Sequence, residues 1–213
     1  HCQGRISALY PMVEILTAAL LVAAYARDGL SPAFIKNAAL GMLLLILIFT
    51  DFRERRIPHA VTLLGMSLGV VLSFIVPVDA RPVEWLLRRA GFFPESALVS
   101  LLAALSGAAV GGGLLYLVGA AFYRLTGREA LGFGDVMLML MIGTFLGVPL
   151  TLLTILLGSL LGTLIAAPLE MMGGPFRRHA WPYGSFLGAA AVYASLGGNA
   201  LLDAYLRWSG LTG

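Results

Sequence analysis

The sequence predicts an all-α, polytopic transmembrane bundle of about seven helices, and three observations predict it. Apolar residues make up 59% of the 213 and charged residues only 12%, against roughly 25% charged in ordinary globular chains. Mean hydropathy is +0.91. The apolar residues fall in long runs, and the connectors between them carry the charges, prolines and glycines, leaving no soluble domain and no linker.

A helix needs about 20 residues to cross a bilayer, and seven segments reach that length or fall slightly short of it. The first, 10–26, is entered through the polar "HCQGRIS" and closed by "ARDGLSP". The second, 33–50, ends at "FRERRIP", and the third, 58–76, ends at the long connector "VDARPVEWLLRRAGFFPE". The fourth, 97–123, is closed by "YRLTGREALGFG". The fifth, 135–148, is short and stops at Gly147 and Pro149; the sixth, 150–171, runs to "GGPFRRHAWP"; the seventh is 183–202. The start lacks an initiator Met and does not read as a signal peptide, so an upstream piece is expected. Cys2, the single cysteine, can form neither an internal disulfide nor a metal site by itself.

A net charge of +3 and a pI near 9.3 would suggest nucleic acid in a soluble protein. Here Arg-rich loops on one side of the bilayer account for it, so the expected partner is lipid and not nucleic acid. With the N-terminus cytoplasmic, eight Lys and Arg fall on that face and six on the other, a mild bias in the direction of the positive-inside rule. The local pattern is sharper, because Arg53, Arg55 and Arg56, and again Arg177 and Arg178, sit in short loops at helix ends. Seven crossings then bring Asp51 and Asp135 to the same, cytoplasmic, membrane face.

Asp51 ends "LLLILIFTD" and Asp135 opens "DVMLML", both at a water–lipid boundary. Ionisable residues at such depth are candidates for function. The structural alternatives are an N-cap role for Asp135 and pairing of Asp51 with Arg53 or Arg55. Two carboxylates brought close share a proton. One can then take a proton from water while the other polarises a carbonyl oxygen, which is peptide hydrolysis without metal or nucleophilic side chain. Gly132 and Gly134 lack Cβ atoms and would let an extended substrate backbone approach Asp135.

These residues also carry a resemblance. "FTDFRERRIPHAVTL" (49–63) resembles the first aspartate motif of the type IV prepilin peptidases, and "GFGDVMLM" (132–139) resembles their second, the G-x-G-D signature of intramembrane aspartyl proteases. "YPMVEILTA" (10–18) and "WPYGSFLGAAA" (181–191) resemble the family's first helix after the cytoplasmic loop and its last helix. The likeness is ordered and runs nearly end to end. It implies cleavage of the charged leader from type IV prepilins and type II secretion pseudopilins at the cytoplasmic face of the bacterial inner membrane, with Asp51 and Asp135 catalytic. It further implies methylation of the new N-terminus by S-adenosylmethionine in many members, and Glu14 as a contact for leader or methyl donor. Proteolysis needs no cofactor. Cys2 matches the last of four family cysteines, so residues 1–9 read as the remnant of a cytoplasmic cysteine-containing loop ahead of a protease domain at 10–213. Zinc binding would require the upstream cysteines. The oligomeric state is left open.

Other patterns point elsewhere. "GMSLG" (65–69) fits G-x-S-x-G, but a nucleophile elbow needs a strand-to-helix turn, and Ser67 is expected mid-helix as a small residue at a contact. His59 and His179 are expected at the interface, and no H-E-x-x-H exists. The glycine pairs 107/111, 143/147, 158/162 and 184/188 are expected to mark helix packing and no site. Glu170 is expected at a helix end facing Arg177 or Arg178. The rival from another class is a proton-coupled carrier with paired acids, which would favour inverted repeats and helices broken at the midplane; the sequence shows no repeat. A structural subunit with capping acids is the third reading.

Overall fold

The computed structural model describes residues 9–93, 95–128, 131–171 and 182–210, all helical or in short connections. The order is α1 (Leu9–Asp28), α2 (Pro32–Glu54), α3 (His59–Ser73), α4 (Arg81–Arg89), α5 (Ser96–Thr126), α6 (Phe133–Met171) and α7 (Tyr183–Trp208). Among the described residues, five helices are long and apolar enough to cross a membrane, namely α1, α2, α5, residues Phe133–Leu169 of α6, and α7. This is a multi-pass, all-α membrane bundle.

The expected and observed helices are not the same seven. Where the sequence predicts two segments, 135–148 and 150–171, there is one hydrogen-bonded element, α6, with a break at Gly147. That break reverses the chain. Met139 and Thr151 both border the space beside Gly111, where a Cβ would lie 3.0 Å from the Met139 carbonyl oxygen and 2.6 Å from Thr151 Cγ2. The intervening stretch as unbroken helix would be about 18 Å long. Gly147 has φ 70° and ψ 179°, a region open essentially to glycine alone, and Pro149 pre-sets the first turn of the returning limb. The two limbs therefore run in opposite directions, as the parity argument requires.

The seventh helix is α4, which the sequence reads as part of a connector. Its nine residues, RPVEWLLRR, carry too many charges to register as apolar. They nonetheless place Val83 against the small cluster of Val78, Ala103 and Ala104 while Trp85, Leu86 and the arginines stay exposed. The third predicted segment is trimmed as well: α3 has only 15 residues, because the chain turns at Phe74–Val76 before Pro77.

Small residues let the helices close on one another. An ideal Cβ on Gly107 would sit 2.4 Å from the carbonyl oxygen of Gly143, and one on Gly143 would sit 2.3 Å from that of Gly107. This is backbone-to-backbone contact, the packing that G-x-x-x-G spacing permits. Gly65 and Gly69 press α3 onto Met141 and Thr144, whereas Ser67 between them is exposed and bonded to Leu63 O. The expectation that Ser67 itself makes the contact is thus corrected, since its two flanking glycines make it. At the end of the bundle remote from Asp135, Lys36 Nζ donates to Val76 O (3.4 Å). Val78 N–H donates to Ser100 Oγ (2.9 Å), which in turn donates to Ser73 O (2.7 Å). Arg81 bridges Asp79 (2.7 Å) and Asp203 (3.0 Å), tying the start of α4 to α7.

Gly147→Ala tests the reversal. The new Cβ would lie 2.7 Å from Asp79 O on a backbone that disfavours it, so strain and overpacking together should lower stability by about 2–4 kcal/mol. Thermal unfolding in detergent reads this out, and an unchanged melting temperature would contradict the hairpin.

Candidate active site

Asp51 lies in the last turn of α2, which stops one turn later because Arg55 adopts a left-handed conformation (φ 51°) and returns its N–H to Asp51 O (2.8 Å). Asp135 is the third residue of α6, and its N–H donates to Gly132 O (3.0 Å). It is therefore not the N-cap. It stands where the acid of a capping box would, its carboxylate turned back toward Gly132, with Oδ2 3.7 Å from that residue's ideal Cβ position.

The third element is the start of α7. A Cβ on Gly184 would fall 3.0 Å from Asp51 Oδ2, 3.0 Å from Asp135 Oδ1 and 2.8 Å from Ile57 Cδ1. One unoccupied side-chain position thus borders both carboxylates, and the two oxygens are separated by at most twice that 3.0 Å. Asp51 is 6% exposed, and Asp135 is half-buried. Asp51 Oδ2 accepts from Ser185 N–H (2.8 Å) and lies 3.0 Å from Ser185 Oγ. The alternative in which Asp51 pairs with Arg53 or Arg55 is not what the structure shows: both arginines are exposed, and Ser185 holds the carboxylate.

Asp51 and Asp135 form the inner wall of a cavity of about 540 Å³, whose other lining residues include Glu54, Arg55, Arg56, His59, Gly132 and Gly134. The two glycines differ in role. Beside Gly132 an added Cβ would meet only Asp135 Oδ2 and Gly134 N, at 3.7 and 3.9 Å, so the space over Asp135 stays open there. Beside Gly134 it would meet Ile57 Cβ at 3.1 Å. Ile57, in the α2–α3 connection, thus packs against Gly134, which also lines the cavity. His59 begins α3 at this cavity, with its ring 5.9 Å from that of Phe133.

Glu14 is not among the residues that line this cavity. It is exposed on α1, lines none of the cavities described, and makes no ion pair with a described arginine. Cys2, Arg177, Arg178 and His179 lie outside the described residues, as does the side chain of Glu170. Among the described residues no group of three or more His, Cys, Asp and Glu could hold a metal ion. Sequence reasoning misses Gly184 and Ser185. The spacing of 184 and 188 points to packing only, yet Gly184 is a wall of the site while Gly188 does pack, against Ile48. The available signal is in "WPYGSFLGAAA", where a glycine and a hydroxyl residue open an apolar helix.

Fold and site together define a class: a multi-pass helical membrane protein with two carboxylates converging at one end of the bundle. The sequence model of the type IV leader peptidase family matches residues 38–167, and the chain belongs to that family. It is 33% identical over 207 residues to a prepilin leader peptidase/N-methyltransferase of Xanthomonas campestris pv. campestris, covering 97% of this chain and 65% of the relative. A protein of the same name from Pseudomonas putida is 29% identical, covering 98% and 66%. One from Bacillus subtilis is 26% identical, covering 97% and 73%. The chain thus spans about 65% of the length of the first two relatives. No solved structure matches it significantly. The carrier alternative gains no support: the relatives are peptidases by name, and the one broken helix among the described residues turns at the bundle end, beside Asp79.

Gly184→Ala should push a methyl group between the two carboxylates. A misplacement of about 1 Å at a reacting centre can lower turnover about 10²-fold, so that loss is expected in kcat for a cleavable substrate, with the protein still folded by circular dichroism. Gly132→Ala, in open space, should cost far less. Equal effects of the two substitutions would contradict the geometry.

Proposed function

We propose that this chain is the catalytic membrane domain of an aspartic endopeptidase that removes the charged leader from type IV prepilins and type II secretion pseudopilins. The observation that carries the reading is the convergence of Asp51 Oδ2 and Asp135 Oδ1 on the side-chain position that Gly184 leaves empty. Family membership and the relatives' names support the substrate class, and the Arg-rich loops at the dyad end support a cytoplasmic site in the bacterial inner membrane.

The chemistry follows from a shared proton. The ionised aspartate takes a proton from water as the water oxygen bonds to the scissile carbonyl carbon, while the protonated aspartate gives its proton to the carbonyl oxygen. In the resulting gem-diol the first aspartate is protonated and the second ionised. Collapse breaks the C–N bond, moves the first aspartate's proton to the leaving nitrogen and returns a diol proton to the second. Atoms and charge balance, and the dyad is regenerated.

Depth selects the bond. Asp51 ends a spanning helix and Asp135 begins one, so the dyad reaches a peptide bond only near that membrane edge, where a substrate helix must unwind to expose its carbonyl. A glycine before the cut lowers the cost of unwinding by about 1 kcal/mol relative to alanine. The second activity in the relatives' names draws on S-adenosylmethionine. Glu14, which the resemblance suggests as a contact for it, is exposed on α1 and is not among the residues lining the dyad cavity.

Purified protein with a prepilin, followed by mass spectrometry, tests the reading. Asp51→Asn and Asp135→Asn should each abolish leader loss, with the double substitution little worse than either, because the pair acts as a unit. Near wild-type turnover in one single variant would refute the dyad. Ser67→Ala and serine reagents should leave cleavage unchanged. Moving the substrate's scissile bond several turns deeper into its apolar helix should stop it, and efficient cutting there would contradict the site's depth.

A further inference from the structure

Two aspartates that share a proton need not be interchangeable, and their surroundings here are unequal. Asp51 Oδ2 is approached by two groups of one residue, Ser185 N–H at 2.8 Å and Ser185 Oγ at 3.0 Å. Among the described residues, the hydrogen-bond donor to Asp135 is the backbone of Gly132, within its own helix start, and Tyr183, bonded to Ser159, stands near it. We infer that Ser185 is the positioning residue that breaks the symmetry of the dyad: it holds Asp51 as the carboxylate that receives the water proton, and leaves the shared proton on Asp135. The catalytic part of this inference rests on the peptidase reading above.

Ser185 is the third residue of α7, and the amide groups of a first turn have no acceptor one turn back within the helix. Its N–H has Pro182 O at 3.1 Å and, nearer, the Asp51 carboxylate. Such an N–H also belongs to the positive end of the helix dipole, which favours a negative group beside it. The hydroxyl has one proton and two acceptors in reach, Asp51 Oδ2 at 3.0 Å and Ile48 O at 3.1 Å. Bonds to a charged acceptor are roughly twice as strong as neutral ones, so an ionised Asp51 takes the proton. Once Asp51 has been protonated by water, the hydroxyl can turn to Ile48 O and offer its lone pair instead. Ser185 thus serves both states of Asp51.

The neighbourhood offers Asp51 no competing cation of comparable closeness among the described residues. Ile57 and Gly184 close the other side of the gap, while Glu54, Arg55, Arg56 and His59 stand at the cavity lining and are exposed. With the assignment made, each proton has an address. The proton of the attacking water goes to Asp51 and later to the leaving nitrogen; the proton of Asp135 goes to the carbonyl oxygen and returns from the gem-diol.

Three substitutions and two readouts test this. Ser185→Ala removes the hydroxyl donor, and Ser185→Pro removes the N–H as well, together with its bond to Pro182 O. Donors to a charged group of this kind correspond to a loss of about tenfold in kcat for Ala and about 10²-fold for Pro, with KM unchanged. Ser185→Thr, which keeps both donors, should restore turnover. A purely structural role would move KM or stability in all three.

The second readout does not depend on activity. In infrared difference spectra of the purified protein, the protonated-carboxyl band should be lost in Asp135→Asn, because Ser185 keeps the remaining Asp51 ionised. It should return when Ser185→Pro is added. A band that persists in Asp135→Asn, or fails to return in the double variant, overturns the assignment. Should the unsubstituted protein cut no prepilin while the infrared cycle behaves as stated, the peptidase reading fails and the role of Ser185 stands. Normal cleavage with kcat insensitive to Ser185→Pro does the opposite: hydrolysis stands and the role of Ser185 is overturned.

Discussion

Bringing two carboxylates together inside an apolar bundle is the constraint on which the rest of the molecule depends. Buried acids are unfavourable unless donors meet them, and the structure supplies those donors from helix starts. Asp135 sits on the first turn of its own helix, and Asp51 is met by the first turn of α7. Both arrangements require a helix to begin at the same end of the bundle at which α2 ends. The chain satisfies this only because α6 doubles back at Gly147, so that α7 can start beside Asp51 and not at the opposite membrane face. A single glycine conformation far from the carboxylates therefore decides whether Asp51 meets Ser185.

Rigidity along the bundle explains how the site keeps its geometry. The gap beside Gly184 accommodates no methyl group, so a shift of an ångström in α2, α6 or α7 would open or close it. Backbone contact between Gly107 and Gly143 fixes the first limb of α6 on α5, while Ser159 and Tyr183, hydrogen-bonded at 2.9 Å, fix the returning limb on the start of α7. Arg81, bonded to Asp79 and Asp203, joins α4 to α7. Interiors packed this closely transmit displacement instead of absorbing it. The small residues that look like mere packing devices are in this sense part of how the dyad is held.

What is legible in the sequence, and what is not, follows from how local each signal is. Asp51 and Asp135 stand out because a charge at the edge of an apolar run is costly and visible without knowing any neighbour. Gly147 and Pro149 mark a break for the same reason, each imposing a backbone preference of its own. Helix α4 escapes because nine residues with four charges do not resemble a membrane segment; its fold depends on Val83 finding the cluster of Val78, Ala103 and Ala104. Gly184 and Ser185 escape more completely. Nothing in "YGSFLG" indicates what faces it, and both become members of the site only when α7 docks on α2. Gly134 is a mixed case: it lines the cavity as its type suggests, while its packing against Ile57 depends on the α2–α3 connection and is not legible locally.

The remaining question is why a dyad of this kind sits at a helix end and not at mid-membrane. An aspartate in the middle of a spanning helix finds every nearby backbone N–H already bonded to a carbonyl, so its donors must come from side chains. At a helix start the first N–H groups are unclaimed, and the dipole adds to their effect. Placing Asp51 against the opening turn of α7 therefore obtains a carboxylate stabilised by backbone, and a cavity bordered by Arg55, Arg56 and Glu54 opens onto the same point. The position that makes the acid chemically useful is also the position that confines it to the membrane edge. A hydrolytic reading with an edge-cut substrate and the donor pattern at Ser185 are thus two consequences of one placement.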